Sequence, residues 1–113
     1  MEARAILRYA KISPRKSRQV VDLVRGKGVE EAMNILQFTP KKAARLVERT
    51  LRSAIANAVN REDDAAREEE LVVKEAFVDG GIAFKRIRPM PRGAAGHILK
   101  RMSHITLVVS DEV

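Results

Sequence analysis

Apolar and polar positions alternate over residues 2–10, with Ala3, Ala5, Leu7 and Tyr9 on one side, Glu2, Arg4 and Arg8 on the other, and Ile6 out of step. A period of two predicts a strand with one covered face. Ser13-Pro14 then offers a helix N-cap followed by proline at the first helical position. Val20, Val21, Leu23 and Val24 supply one apolar side, and Gly26 and Gly28 end the helix. A short second helix is expected from residue 29 to about 38, on Ala32, Ile35 and Leu36. Thr39-Pro40 repeats the cap-then-proline signal and is expected to open the longest helix. Its stripe is Ala43, Val47, Leu51, Ala54, Ile55, Ala58 and Val59, with small alanines that suit close approach to a sheet. Residues 61–70 are polar and acidic, which argues for a solvated loop. Two strand-like runs close the chain, at 71–79 and 103–110.

Those two runs pair naturally as an antiparallel hairpin, but 23 residues (80–102) separate them. A structureless loop of that length is uncommon inside a small domain. The simpler solution extends both arms beyond the sheet. With Phe77 opposite Ile105 the turn falls near Pro91, and the extension reaches about 30 Å at roughly 3.3 Å per residue. The expected fold is α+β, a three-stranded antiparallel sheet with three helices on one face and a long protruding β-hairpin. Residues 1–113 form a single domain in this reading, with the extended hairpin at about 80–102.

Charge sharpens the picture through its distribution. Residues 1–60 carry 13 Lys/Arg against 5 Asp/Glu (+8), residues 61–79 carry 3 against 8 (−5), and residues 80–113 carry 6 against 2 (+4). Segregation of this kind points to a polyanionic partner, nucleic acid before membrane. Arg15, Lys16 and Arg18 crowd the first turn of the first helix, where the macrodipole favours anions. Phosphates there would resolve the conflict, since free amides and side-chain cations would then act together. The chain has no Cys, which removes disulfides, thiolate nucleophiles and Cys-containing zinc sites. The start lacks an apolar signal run and no stretch approaches about 18 apolar residues, so a cytoplasmic protein without membrane contact is expected.

The connector 80–102 holds six Lys/Arg, one His and no acidic residue. Gly80-Gly81 can bend it away from the sheet, and its prolines lie near the tip. The residues 93–96 are nearly bare backbone, which permits close approach to RNA phosphates and sugars. Several segments carry a specific likeness: Ser13-Pro14-Arg15-Lys16, Val21-Asp22-Leu23-Val24-Arg25-Gly26-Lys27, Ala54-Ile55-Ala56-Asn57-Ala58, Phe84-Lys85-Arg86-Ile87-Arg88-Pro89 and Lys100-Arg101-Met102-Ser103-His104-Ile105-Thr106. In order and over essentially the whole chain, they resemble the bacterial ribosomal large-subunit protein twenty-two family.

That resemblance implies a globular part near the exit of the nascent-peptide tunnel and a hairpin that lines the tunnel wall. It implies early binding to large-subunit ribosomal RNA, a nearby large-subunit ribosomal protein four at the tunnel constriction, and contact with the nascent polypeptide. By the same resemblance Lys85, Arg86, Arg88, Arg92, Lys100 and Arg101 would meet RNA, joining Arg15, Lys16 and Arg18, while Met90, Pro91, Arg92 and Gly93 would face the tunnel. The family often carries Arg where this chain has Ala94 and His97, and a more basic pair where it has Met90-Pro91.

Other chemistries are weaker readings. His97 and His104 have no Cys nearby, so no metal or other cofactor is expected; His104 is expected to pack or hydrogen-bond at the strand start. Neither Gly26-Lys27-Gly28 nor Gly93-Ala94-Ala95-Gly96 has the ending of a phosphate loop. An RNA-directed enzyme would need Glu75, Asp79 and His104 to converge, and none is expected. A helix-turn-helix DNA reader built on the first two helices is disfavoured by Glu30-Glu31 where its recognition helix would begin. Nothing suggests a homo-oligomer.

Overall fold

In a computed structural model of the chain, residues 1–61, 65–89, 91–93 and 95–111 are described, those at 84–89, 91 and 95–99 by their backbone alone. The alternating segment is strand β1 (Glu2–Ala10), with Ala3 and Ala5 buried. Helix α1 (Pro14–Val24) starts as the capping signal predicts: Ser13 Oγ accepts from the Lys16 amide and Pro14 opens the first turn. It ends before Gly26, whose φ of +80° is a conformation that side-chain-bearing residues rarely adopt. Helix α2 (Val29–Phe38) follows, with Glu30 and Glu31 in its first turn, where carboxylates suit the macrodipole.

Thr39 closes α2 instead of opening the next helix. Its amide donates to Leu36 O and its hydroxyl to Ile35 O at 2.6 Å. A residue preceding proline is pushed out of the helical region, so α2 must stop before Pro40. The longest helix, α3 (Lys42–Val59), begins two residues beyond that proline, with Lys41 at a cap position that makes no side-chain bond.

Strands β2 (Val72–Pro89) and β3 (Ala95–Ser110) complete an antiparallel sheet of order β1-β3-β2. On one face, Ala3 and Val73 flank Val109, Ala5 and Ala76 flank Leu107, and Leu7 and Val78 flank Ile105. The helices cover this face, burying Val20, Val21, Val24, Val47, Leu51, Ala54 and Ala58 completely. Alanines on both α3 and β1 leave room for the helix to lie close to the strands. Beneath the β1–α1 connection, Ser103 Oγ donates to Ile12 O at 2.6 Å and Ser17 Oγ to Ser13 O at 3.2 Å.

The strand pairing and the end of β1 differ from the expected pattern. Phe77 pairs with Thr106, and Val78 pairs with Ile105. A one-residue slip turns every side chain to the opposite face, and with Ile105 in the core its partner must be the side chain that can be buried there. A bulge between Val73 and Glu75 sets this frame and leaves Phe77 partly exposed. Tyr9 also leaves the buried side of β1. A register shift between Leu7 and Ala10 and a φ of 57° at Tyr9 break the alternation, so Ala10 is buried instead.

Candidate nucleic-acid interface

The arms of β2 and β3 leave the body at a second bulge, between Gly80 and Ala83. Gly81 fits a close approach there: a Cβ would lie 3.2 Å from both His104 Nε2 and Met102 O, tight enough that a neighbour would have to give by a few tenths of an ångström. Beyond it the ladder runs without a break from Ala83 opposite Arg101 to Pro89 opposite Ala95. The tip turns at Pro91–Gly93, with Arg92 at φ 64° and Gly93 at φ 74°. Near Gly93 nothing lies within 4 Å of an added Cβ, so the positive φ, and not lack of space, favours glycine. The molecule measures 63 × 26 × 18 Å, and its radius of gyration of 17.0 Å exceeds the roughly 13 Å of a compact domain this long.

The arm brings the expected cations into one ribbon. Arg92, Lys100 and Arg101 are exposed. Lys85, Arg86 and Arg88 occupy register positions opposite Leu99, Ile98 and Gly96. Their side chains, like that of Pro91 and the whole of Met90, lie outside the described residues. No Asp or Glu occurs between Gly80 and Met102 in the sequence, so the ribbon's own sequence contains no carboxylate to offset its positive potential.

A second basic surface lies where the starts of α1 and α3 meet. Arg15 and Lys16 are exposed on the first turn of α1. Lys41 Nζ donates to Gln19 Oε1 at 3.3 Å and Lys42 Nζ to Lys11 O at 3.2 Å. Those bonds join the two helices' basic ends, a proximity that sequence spacing does not reveal. Elsewhere on α3, Arg52 pairs with Glu48 at 2.6 Å.

Arg18 has a role that charge alone does not suggest. Its Nε and Nη2 donate to Val78 O at 3.3 and 2.9 Å. About two turns on, at the C-cap of α1, Arg25 does the same for Ala76 O at 3.0 and 2.6 Å, while its Nη1 meets Asp22 at 2.7 Å. Both carbonyls point outward from β2, the edge strand. The edge is sewn further by Gly26 N to Val73 O, Val73 N to Lys27 O and Val29 N to Leu71 O. An open edge invites pairing with another chain, and the helix side of the fold closes this one. Arg25 was visible only as part of a motif; its i, i+7 relation to Arg18 was the available signal.

The remaining candidates do not assemble into a reactive centre. His104 Nδ1 accepts from the Tyr9 amide at 3.1 Å, and the two rings meet edge-on at 4.9 Å. Asp79 pairs with His104, but Glu75 pairs with Val108, four positions along the strand, or roughly 13 Å away. Among the described residues no three His, Cys, Asp or Glu side chains gather as a metal site, and no helix is long and apolar enough to cross a membrane. Asn57 donates to Arg4 O at 3.1 Å, and Asn60 caps α3 at its C-terminus.

Comparison with known proteins gives this geometry a context. Residues 5–110 match the family model described as ribosomal protein L22p/L17e. The large ribosomal subunit protein uL22 of Halothermothrix orenii is 54% identical over 112 residues, covering 99% of this chain and 97% of the relative. That of Thermus thermophilus matches with the same identity and coverage, and that of Carboxydothermus hydrogenoformans is 53% identical over 111 residues, 98% of this chain and 96% of the relative. With the fold, the arm and near-complete alignment in agreement, this chain belongs to the ribosomal protein L22p/L17e family.

Proposed function

We propose that the protein is a structural, non-catalytic constituent of the large ribosomal subunit in the cytoplasm, held there by large-subunit ribosomal RNA. The observation that carries this is the arm: a two-stranded ribbon with no carboxylate in its sequence, projecting from a three-stranded sheet that helices cover on one face. Lys85, Arg86, Arg88, Arg92, Lys100 and Arg101 contact RNA along it, and Arg15, Lys16 and Arg18 contact RNA at the body. Phosphate contact along a ribbon fits recognition of folded RNA by shape, because a helical RNA offers side chains little base readout in its deep groove. The ribbon's exposed, glycine-bearing turn supports the finer reading, in which Met90, Pro91, Arg92 and Gly93 face the nascent polypeptide in the exit tunnel. Large-subunit ribosomal protein four is the neighbour at the constriction, and assembly occurs early.

A helix-turn-helix reader of duplex DNA fits less well. The turn between α1 and α2 is hydrogen-bonded to the edge of β2, and α2 presents exposed Glu30 and Glu31 at its start. The test is binding to large-subunit ribosomal RNA in competition with excess transfer RNA across a salt series. Preference that persists at physiological salt supports docking by shape. Equal affinity for both RNAs, lost steeply with salt, reflects counterion release alone and would sink the ribosomal reading.

A further inference from the structure

Phe38 is 84% exposed, the most exposed large apolar side chain among the described residues. The fold does not use it. The core side of α2 is Val29, Ala32 and Leu36, with Met33 and Ile35 packed partly against it. Phe38 stands at the last position of the helix, held there by the Thr39 bonds and by Pro40. It lines a shallow groove together with Pro40, Lys41, Lys42, Arg45 and Glu48.

The groove's polar groups give the aromatic ring its context. Lys41 and Lys42 are steered by neutral oxygens, Gln19 Oε1 and Lys11 O. Among the described residues neither they nor Arg45 meets a carboxylate. Glu48, which also lines the groove, is engaged by Arg52. An aromatic face beside three cations without carboxylate partners suits a nucleotide, whose base is flat and apolar and whose phosphates are anionic. An apolar protein neighbour would leave the three cations without partners and is the poorer match.

We infer that Phe38 is a stacking platform for an unpaired base of the bound RNA, with Lys41, Lys42 and Arg45 holding the flanking phosphates. The inference rests on the ribosomal-RNA reading and adds a contact at the body, away from the arm. The stacked base must be single-stranded or flipped from a loop, because a paired base does not offer its face.

The chain contains no Trp, so Phe38→Trp places a single indole at the platform. Titration of the full-length variant with deproteinised large-subunit ribosomal RNA should quench its emission. Phe38→Tyr should bind like the natural chain, whereas Phe38→Leu and Phe38→Ala should bind about 5- to 150-fold more weakly, with an unchanged salt slope. Replacing Lys41 and Lys42 together by Gln should instead lower that slope by about two. Because position 38 is exposed, these variants keep the fold. Emission unmoved by RNA, with Phe38→Leu binding like the natural chain and the preference over transfer RNA retained, overturns the platform and leaves the ribosomal reading standing. If the natural chain shows no such preference, both fall together.

Discussion

Replacing Arg18 and Arg25 by alanine removes two guanidinium groups from the outer edge of β2. Each supplies two bonds to one carbonyl, at 3.3 and 2.9 Å for Val78 O and at 3.0 and 2.6 Å for Ala76 O. A bond from a charged donor contributes about 1.5–3 kcal/mol where water is excluded. The Arg25 side chain is 47% exposed, and at an edge water can reach a freed carbonyl, so about 1 kcal/mol per arginine is the appropriate figure. The exposed pair with Asp22 adds only a few tenths of a kcal/mol. The double variant should therefore lose about 2 kcal/mol, or roughly 8 °C in melting temperature for a domain of this size.

Urea is the denaturant of choice, since an ionic one would screen the charges under test. Helical circular dichroism should show a lower midpoint at unchanged slope. A double variant within about 0.3 kcal/mol of the natural chain would refute the reasoning, because water would then satisfy the edge as well as arginine does. The same variants separate two roles of Arg18. Both single changes should cost stability, but only Arg18→Ala should lower the salt slope of RNA binding, by about one. An unchanged slope would confine Arg18 to the edge.

Other consequences follow from packing and charge. Leu51→Ala, at a completely buried position of α3, should cost about 2–5 kcal/mol in urea unfolding; a loss below 1 kcal/mol would mean that the core collapses around the gap. Replacing residues 84–100 by Asn-Gly, between the paired Ala83 and Arg101, should leave stability within about 1 kcal/mol, because the buried cluster among the described residues has no member in the arm; unfolding by circular dichroism would contradict this. Lys74 donates a hydrogen bond to Glu2 and, with its charge, holds that carboxyl below the usual range. A depressed folded value stabilises above the ordinary carboxylate range and is lost as pH falls through the folded value. Glu2→Gln should thus slightly flatten the acid limb of a stability–pH profile below about pH 4.5. The difference should vanish at high salt, and an effect confined to neutral pH would exclude this pair as its source.

The arm was legible because an acid-free, basic run of 23 residues between two strand patterns admits few compact alternatives. The N-cap of α1 was legible for a similar local reason. The side-chain hydroxyl and the proline act within one turn of the positions they specify. The same signal misled at Thr39-Pro40, where the hydroxyl had two helices within reach and turned back to Ile35 O. The basic candidates were readable as a class, but their partners were not. Lys41 and Lys42 are ordinary helix-start cations until Gln19 and Lys11 lie beside them.

The sequence by itself determined the types and order of the elements, the buried side of α2 and of most of β1 and α3, and the concentration of positive charge in one projecting ribbon. Each of these follows from residues within a few positions of one another, through backbone preference, periodicity and composition. Tertiary structure decided the rest. It chose the register that sends Val78 inward and Phe77 outward, since that depends on fitting against Ile105 across the sheet. Docking of α1 on β2 likewise placed Arg18 and Arg25 on the strand's open carbonyls, and the corner between α2 and α3 left Phe38 uncovered beside three cations. Such outcomes depend on which surfaces meet, and contacts between distant segments settle that together in the folded chain.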